Sequence, residues 1–176
     1  MPPLQNISGA KRKRTLRTHA AEIEPRLSTL GLTLPPPPQP VARYLPAVRS
    51  GALLFLSGIL PWVDGKLAFV GKVGTELSIE EGRQAARVAL LNALAVIKAE
   101  CGSLDAISRI IRMGVHVACS PAFTQHPAVA DGASDLLVDI FGPIGRHARL
   151  ALGASSLPLD APVELELIVR TVSEQK

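Results

Sequence analysis

Aromatic residues make up only 3% of this 176-residue chain, with one Trp, one Tyr and four Phe. That is too few for a stacking platform that holds single-stranded nucleic acid. Cysteine is scarce too: Cys101 and Cys119 lack metal-type spacing, which fits a reducing compartment and two buried thiols. The four histidines are scattered without paired spacing, which argues against a metal site. There is no glycine-rich phosphate loop or dinucleotide fingerprint, so no cofactor is implied. Ser57-Gly58 lacks the earlier glycine of a nucleophile elbow. Although 47% of the residues are apolar, no run reaches the roughly 18 uncharged apolar residues of a membrane span. The N-terminus carries no apolar signal core. A cytoplasmic, soluble protein without membrane contact is the expectation.

The net charge of +4 comes from one place. Lys11, Arg12, Lys13, Arg14 and Arg17 precede the first acidic residue, Glu22. Without these five, 14 basic side chains face 15 acidic ones, so the body of the protein is no polyanion-binding surface by charge. Such a run could touch nucleic acid, but basic tails are more often merely solvated, so a nucleic-acid partner is not expected.

Three segments are expected. Residues 1–19 read as a disordered basic tail. Residues 20–40 hold a short helix, drawn from His19 to Leu32, and the Pro35-Pro36-Pro37-Pro38 connector, too stiff for helix or central strand. Residues 41–176 form one domain. In it, Tyr44 to Val48 and Ala52 to Gly58 read as extended segments around a turn at Arg49-Ser50-Gly51, and Leu67 to Val70 as a short strand after the Asp64-Gly65 turn. Ser78 with Glu81 is a capping box opening a helix that Gly102 ends. Ile107 to Cys119 is a strand with Ile111, Met113, Val115 and Val117 on one side. Pro127 to Phe141 is a second helix, and Arg149 to Ala154 and Val163 to Thr171 are the last strands. This order predicts an α+β fold, a mixed sheet with two helices on one face. Apolar residues on both sides of the strands leave the opposite face in need of cover by another subunit.

Arg149, amid Ala148, Leu150, Ala151 and Leu152, is costly to bury unless an anion meets it. That anion is either a protein carboxylate, making a plain ion pair with Glu164, or the carboxylate of a small substrate. Glu164 and Glu166, two apart in a strand, share a face, where repulsion favours keeping one of them protonated. Glu166 reads as structural, Arg146 and His147 as rim residues, His116 as a core histidine and His126 as a helix-entry residue.

Tyr44 ahead of Gly51-x5-Ser57-Gly58-x2-Pro61, Asn92 on an Ala/Leu-rich helix, and Ala148-Arg149 leading to Leu157-Pro158 and Val163-Glu164-Leu165-Glu166 resemble the Rid family (reactive intermediate deaminase, also called RidA or YjgF-like) from about Val41 to Thr171. The segment Val129 to Leu136 and the N-terminal helix are similar to a less studied branch. The resemblance implies a chorismate-mutase-like fold, a homotrimer around a central barrel, and intersubunit clefts that hydrolyse enamines or imines such as 2-aminoacrylate to a 2-oxo acid and ammonia. It implies that Arg149 grips the substrate carboxylate, that Glu164 handles the attacking water, and that Tyr44, Ser57 and Gly58 line the cleft. Family labels also include endoribonuclease. Two positions depart from the family pattern: Ala151 stands where the best-known members have cysteine, and Asp131 where many have asparagine, a carboxylate that could repel an anionic substrate. Non-catalytic binding of small carboxylate metabolites is the alternative reading, and an RNA-acting protein using the basic tail a third.

Overall fold

The computed structural model describes residues 23–38 and 43–172. The expected basic tail of residues 1–19, and the first residues of the helix drawn from His19, lie outside them. The helix itself is α1 (Ile23–Thr29), which packs Ile23 and Leu27 inward, and residues 32–38 form neither helix nor strand, as four consecutive prolines require.

A five-stranded sheet organises the rest: β1 (Ala47–Ser50), β2 (Leu53–Leu56), β5 (Ile107–Ala118), β6 (Ala148–Ala154) and β7 (Val163–Thr171), in the order β1-β2-β7-β5-β6. A small hairpin, β3 (Trp62–Val63) and β4 (Lys66–Leu67), stands apart, and α2 (Ile79–Cys101) and α3 (His126–Phe141) complete the layer packed on one face. This is the predicted α+β arrangement. In detail the early turns shift. Ser50 pairs with Leu53, so Gly51-Ala52, with Gly51 at φ 57°, makes the turn instead of Arg49-Ser50-Gly51. Asp64 (φ 50°) and Gly65 (φ 75°) form a two-residue hairpin loop of the kind that needs positive φ twice, so the strand after it is Lys66–Leu67 and not Leu67 to Val70.

The capping box of α2 is complete: Ser78 Oγ accepts from Glu81 N (3.2 Å) while Glu81 Oε2 accepts from Ser78 N (2.7 Å). The carboxylate also accepts from Ser78 Oγ (2.7 Å), and that bond, with the one from Ser78 N, holds the Glu81 carboxyl below its usual range. Ala86, Ala89, Leu90, Ala93, Leu94 and Ile97 are wholly buried, and the run of alanines lets the helix sit close to the sheet and to α3. The closest approach is at Gly132 of α3, where a Cβ would overlap Arg83 O of α2 and lie 2.9 Å from Arg83 Cα. Gly132→Ala should therefore destabilise the protein by about 1–3 kcal/mol through overpacking, although alanine favours helix by about 1 kcal/mol. Denaturant unfolding will check this, and an unchanged midpoint would refute the close packing.

Strand β7 alternates cleanly: Val163, Leu165, Leu167 and Val169 are buried under the helices, while Glu164, Glu166 and Ile168 lie on the open face. Strand β5 does not alternate throughout. Met113, Val115 and Val117 are buried, but Ile110 takes the inward place expected of Ile111, because irregularities in the ladder with β7 shift the parity of the strand. Across the open face run Val48, Phe55, Ile168, Leu150 and Leu152, several of them substantially exposed. Contrary to the expectation of a buried strand around Arg149, β6 is an exposed edge in the single chain, with Leu152 46% exposed. Among the described residues no helix is long and apolar enough to cross a membrane.

Candidate functional site

Strand register places the two principal candidates. Arg149 pairs with Met113, and Glu164 pairs with His116, on either side of β5. Their Cα atoms are then roughly 14 Å apart, three residues along and two strand spacings across. Paired residues share a face, so Arg149 lies on the helix side with buried Met113, whereas Glu164 lies on the open side with His116. Within one chain they cannot meet, which excludes the plain Arg149–Glu164 ion pair as an intrachain contact. The fourteen residues between them do not make a hairpin, because β5 is inserted between β6 and β7.

Around Arg149 the structure builds one cluster of polar side chains. Strand β6 runs parallel to β5 beneath α3, and Asp131 and Ser134 of α3, three residues apart, present one helix face to it. Arg149 Nη1 donates to Asp131 Oδ1 (2.6 Å) and to Ser134 Oγ (3.0 Å). The carboxylate expected to repel an anionic substrate instead holds the arginine. Both contacts use Nη1, and among the described residues Nε and Nη2 have no protein partner, so one edge of the guanidinium remains open as a fork. Ser134 Oγ lies 3.2 Å from His147 Nε2, and His147 Nδ1 lies 2.7 Å from Gly145 O. A carbonyl can only accept, so Nδ1 carries the proton and Nε2 accepts from the serine hydroxyl. Burial holds His147 below the usual histidine range, against its bond to Gly145 and with help from the Arg149 charge. An uncharged His147 thus orients Ser134, which orients Arg149. Ser134 was not singled out in the sequence, although its i,i+3 spacing from Asp131 was visible there. Ala151, two residues on and half-buried, packs against the core where a thiol was lacking.

A second cluster of candidate residues lies across the sheet. Between the pairs Phe55/Ile168 and Ile59/Leu165, the first strand carries three residues and β7 two, so Leu56-Ser57-Gly58 is a bulge. Strand β2 accordingly ends at Leu56, short of the Ser57-Gly58 expected to close it. Ser57 Oγ donates to Leu45 O (2.7 Å) and pins the segment carrying Tyr44. The Glu164 carboxylate lies directly on Gly58, where a Cβ would overlap Oε1. Glu164 makes no hydrogen bond or ion pair among the described residues, whereas Glu166 accepts from Arg112 Nη1 (2.7 Å), which removes the expected repulsion between the two glutamates. His116 sits half-exposed beside Glu164 on the open face and is no core histidine. Tyr44, Ser57 and Gly58 line a cavity of about 250 Å³ together with Trp62, a residue that no motif singles out.

The remaining candidates are settled locally. His126, at the start of α3, has Nε2 3.4 Å from buried Cys119 Sγ, while Cys101 is only half-buried; both thiols are free. Arg146 is exposed at the rim. Among the described residues no group of three or more His, Cys, Asp or Glu could hold a metal.

A mixed sheet covered by two helices on one side, with an oriented arginine on one edge and a carboxylate over a glycine bulge near the other, defines a chorismate-mutase-like α+β protein. The chain matches the family described as "YjgF/chorismate_mutase-like, putative endoribonuclease" over residues 24–170, and it belongs to that RidA/YjgF-like family. It is 38% identical to Protein TCP17 of Trypanosoma cruzi over 151 residues, 85% of this chain and 94% of that one. Among solved structures it resembles Atu1372 of Agrobacterium tumefaciens, a protein of unknown function (41% identity, TM-score 0.78, 85% of this chain and 91% of that one). It also resembles a "putative endoribonuclease" of Shewanella oneidensis (37% identity, TM-score 0.81, 84% and 97%).

Proposed function

We propose that this protein hydrolyses reactive enamine or imine derivatives of amino acids, of the 2-aminoacrylate type, to a 2-oxo acid and ammonia, in clefts shared by adjacent subunits of a homotrimer. One observation carries this reading: the site is divided. The oriented guanidinium and the glutamate over Gly58 lie on opposite faces of one sheet, so only a second copy can bring them together. The exposed apolar face of Val48, Phe55, Leu150 and Leu152 is a surface such a copy would cover, consistent with a closed ring around a barrel.

In the assembled cleft, the free Nε/Nη2 edge of Arg149 binds the substrate carboxylate bidentately; an enamine first takes up a proton on its terminal carbon as its nitrogen lone pair forms C=N, and the C=N carbon is aimed at the neighbour's Glu164. Glu164 accepts a proton from water as its oxygen bonds to that carbon and the C=N pair moves to nitrogen, which takes up a proton. The resulting carbinolamine loses ammonia as the C–N bond breaks and the 2-oxo acid C=O forms. No cofactor enters this scheme.

Mixed assembly tests it. Arg149→Ala and Glu164→Gln proteins should each be inactive, but refolded together at equal amounts they should regain activity in about a quarter of their sites, where an intact arginine faces an intact glutamate. No recovery in a well-mixed oligomer would defeat the shared cleft. The Asp131–Arg149 pair favours a second reading, non-catalytic recognition of a small carboxylate metabolite, which measurable binding without acceleration over buffer would select. An RNA-acting role draws on the basic tail, which lies outside the described residues.

A further inference from the structure

We propose that the cavity beside Gly58 receives the substrate's side chain, so that the substrates are imines of amino acids with sizeable apolar side chains, of the leucine, methionine or phenylalanine class. This rests on the imine-hydrolase reading and narrows it. The cavity is continuous with the half-site that carries Glu164, since Tyr44, Ser57 and Gly58 line it, and its other walls are Leu60, Trp62, Leu159, neighbouring Ile59 and three prolines. No charged residue lines it. Its volume of about 250 Å³ exceeds the ~150 Å³ that suffices for benzene in an apolar cavity. The single methylene of 2-aminoacrylate would leave most of it unfilled, whereas an isobutyl or benzyl group would fill it.

The walls are held in place. Asn92, buried in α2, donates from Nδ2 to Trp62 O (2.9 Å) and fixes the hairpin that carries the indole. Leu159 and Asp160 both adopt positive φ (58° and 55°), which aspartate tolerates but which costs the bulky Leu159 energy. Gly71 N donates to Asp160 O (2.8 Å) and secures that turn. The outcome is a leucine 64% exposed at the cavity mouth, in a strained backbone. Strain and an exposed apolar side chain coinciding beside a half-site mark a position shaped for a ligand.

The experiment compares imino acids generated by an amino acid oxidase from alanine, leucine and phenylalanine. The expected kcat/KM for the larger two exceeds that for the first by about 100-fold, since each methylene in such a pocket counts for tenfold or more. Leu159→Ala and Trp62→Ala should reduce kcat/KM for the large imines about tenfold more than for the small one, with Trp62→Phe restoring part of the difference. Calorimetry with pyruvate, 4-methyl-2-oxopentanoate and phenylpyruvate measures the same preference without turnover. Trp62 is the chain's only tryptophan, so a saturable fluorescence change reports where they bind. Equal kcat/KM across the imines, or equal affinity for pyruvate and phenylpyruvate, would overturn the pocket and leave the hydrolase reading standing. A preserved affinity preference with no turnover of any imine would overturn the hydrolase reading and leave the pocket. Should Trp62→Ala fail to fold, the exposed Leu159 variant and the ligand series still decide.

Discussion

Arg149→Ala should release 2-oxo acid from enzymatically generated imino acids no faster than buffer does, a loss of about 10³-fold or more, from a protein that still folds. The rate effect follows from geometry: without the fork, the carboxylate loses two charge-assisted bonds and the imine carbon its fixed position. The fold should survive because Arg149 is on an exposed edge strand and its pair with Asp131 is partly solvated, the side chains being 27% and 43% exposed. Such a pair contributes at most about 1 kcal/mol. Arg149→Lys separates two roles. A lysine ammonium can still pair with Asp131, so stability should return, but it cannot offer a second parallel donor edge, so turnover should not. Single-turnover rates and denaturant midpoints on the three proteins check this. Recovery of both by lysine would reduce Arg149 to a structural cation.

Glu164→Gln should lower kcat by about 10²–10⁴-fold and leave the affinity for a 2-oxo acid within a few-fold, because only the proton-accepting oxygen is lost. The amide is isosteric and Glu164 has no protein partner among the described residues, so little stability should change. Gly58→Ala should act in the same direction by another route. Its Cβ would overlap Glu164 Oε1, and the flexible carboxylate, not the bulge, would give way. If Glu164→Gln weakened binding as much as turnover, the carboxylate would be a recognition element. If Gly58→Ala were fully active, the carboxylate would not act from where it rests on the glycine.

Particular elements show how far the residue order reached. The long helix was legible to within a residue, since Ser78, Glu81 and Gly102 state its ends and an alanine-leucine stripe its buried face. Strand β7 was legible because alternation on a half-buried sheet is a local signal. The parity of β5 was not, because its irregularities are set by pairing with β7, about sixty residues away, and Ile110 and Ile111 are chemically alike. The exposure of β6 was not legible for a related reason: an apolar strand on an edge and one in a core read the same until its neighbours are known. Among the candidates, Arg149 and Glu164 were nameable from their own chemistry, and Tyr44, Ser57, Gly58, Ala151 and Asp131 through the resemblance to the Rid family. Trp62 and Ser134 were not, since a hairpin tryptophan and a helical serine carry no signal of what they face.

The sequence alone determined which side chains could do chemistry here and which elements carry them, because propensity, capping and alternation act over a few neighbouring residues. The tertiary structure decided that Asp131 and Ser134 orient the arginine, that Glu164 rests on Gly58, and that these groups stand on opposite faces of one sheet. Those facts depend on strand order and register, which are fixed by the global burial of apolar surface and by ladder bonds between segments distant in the chain.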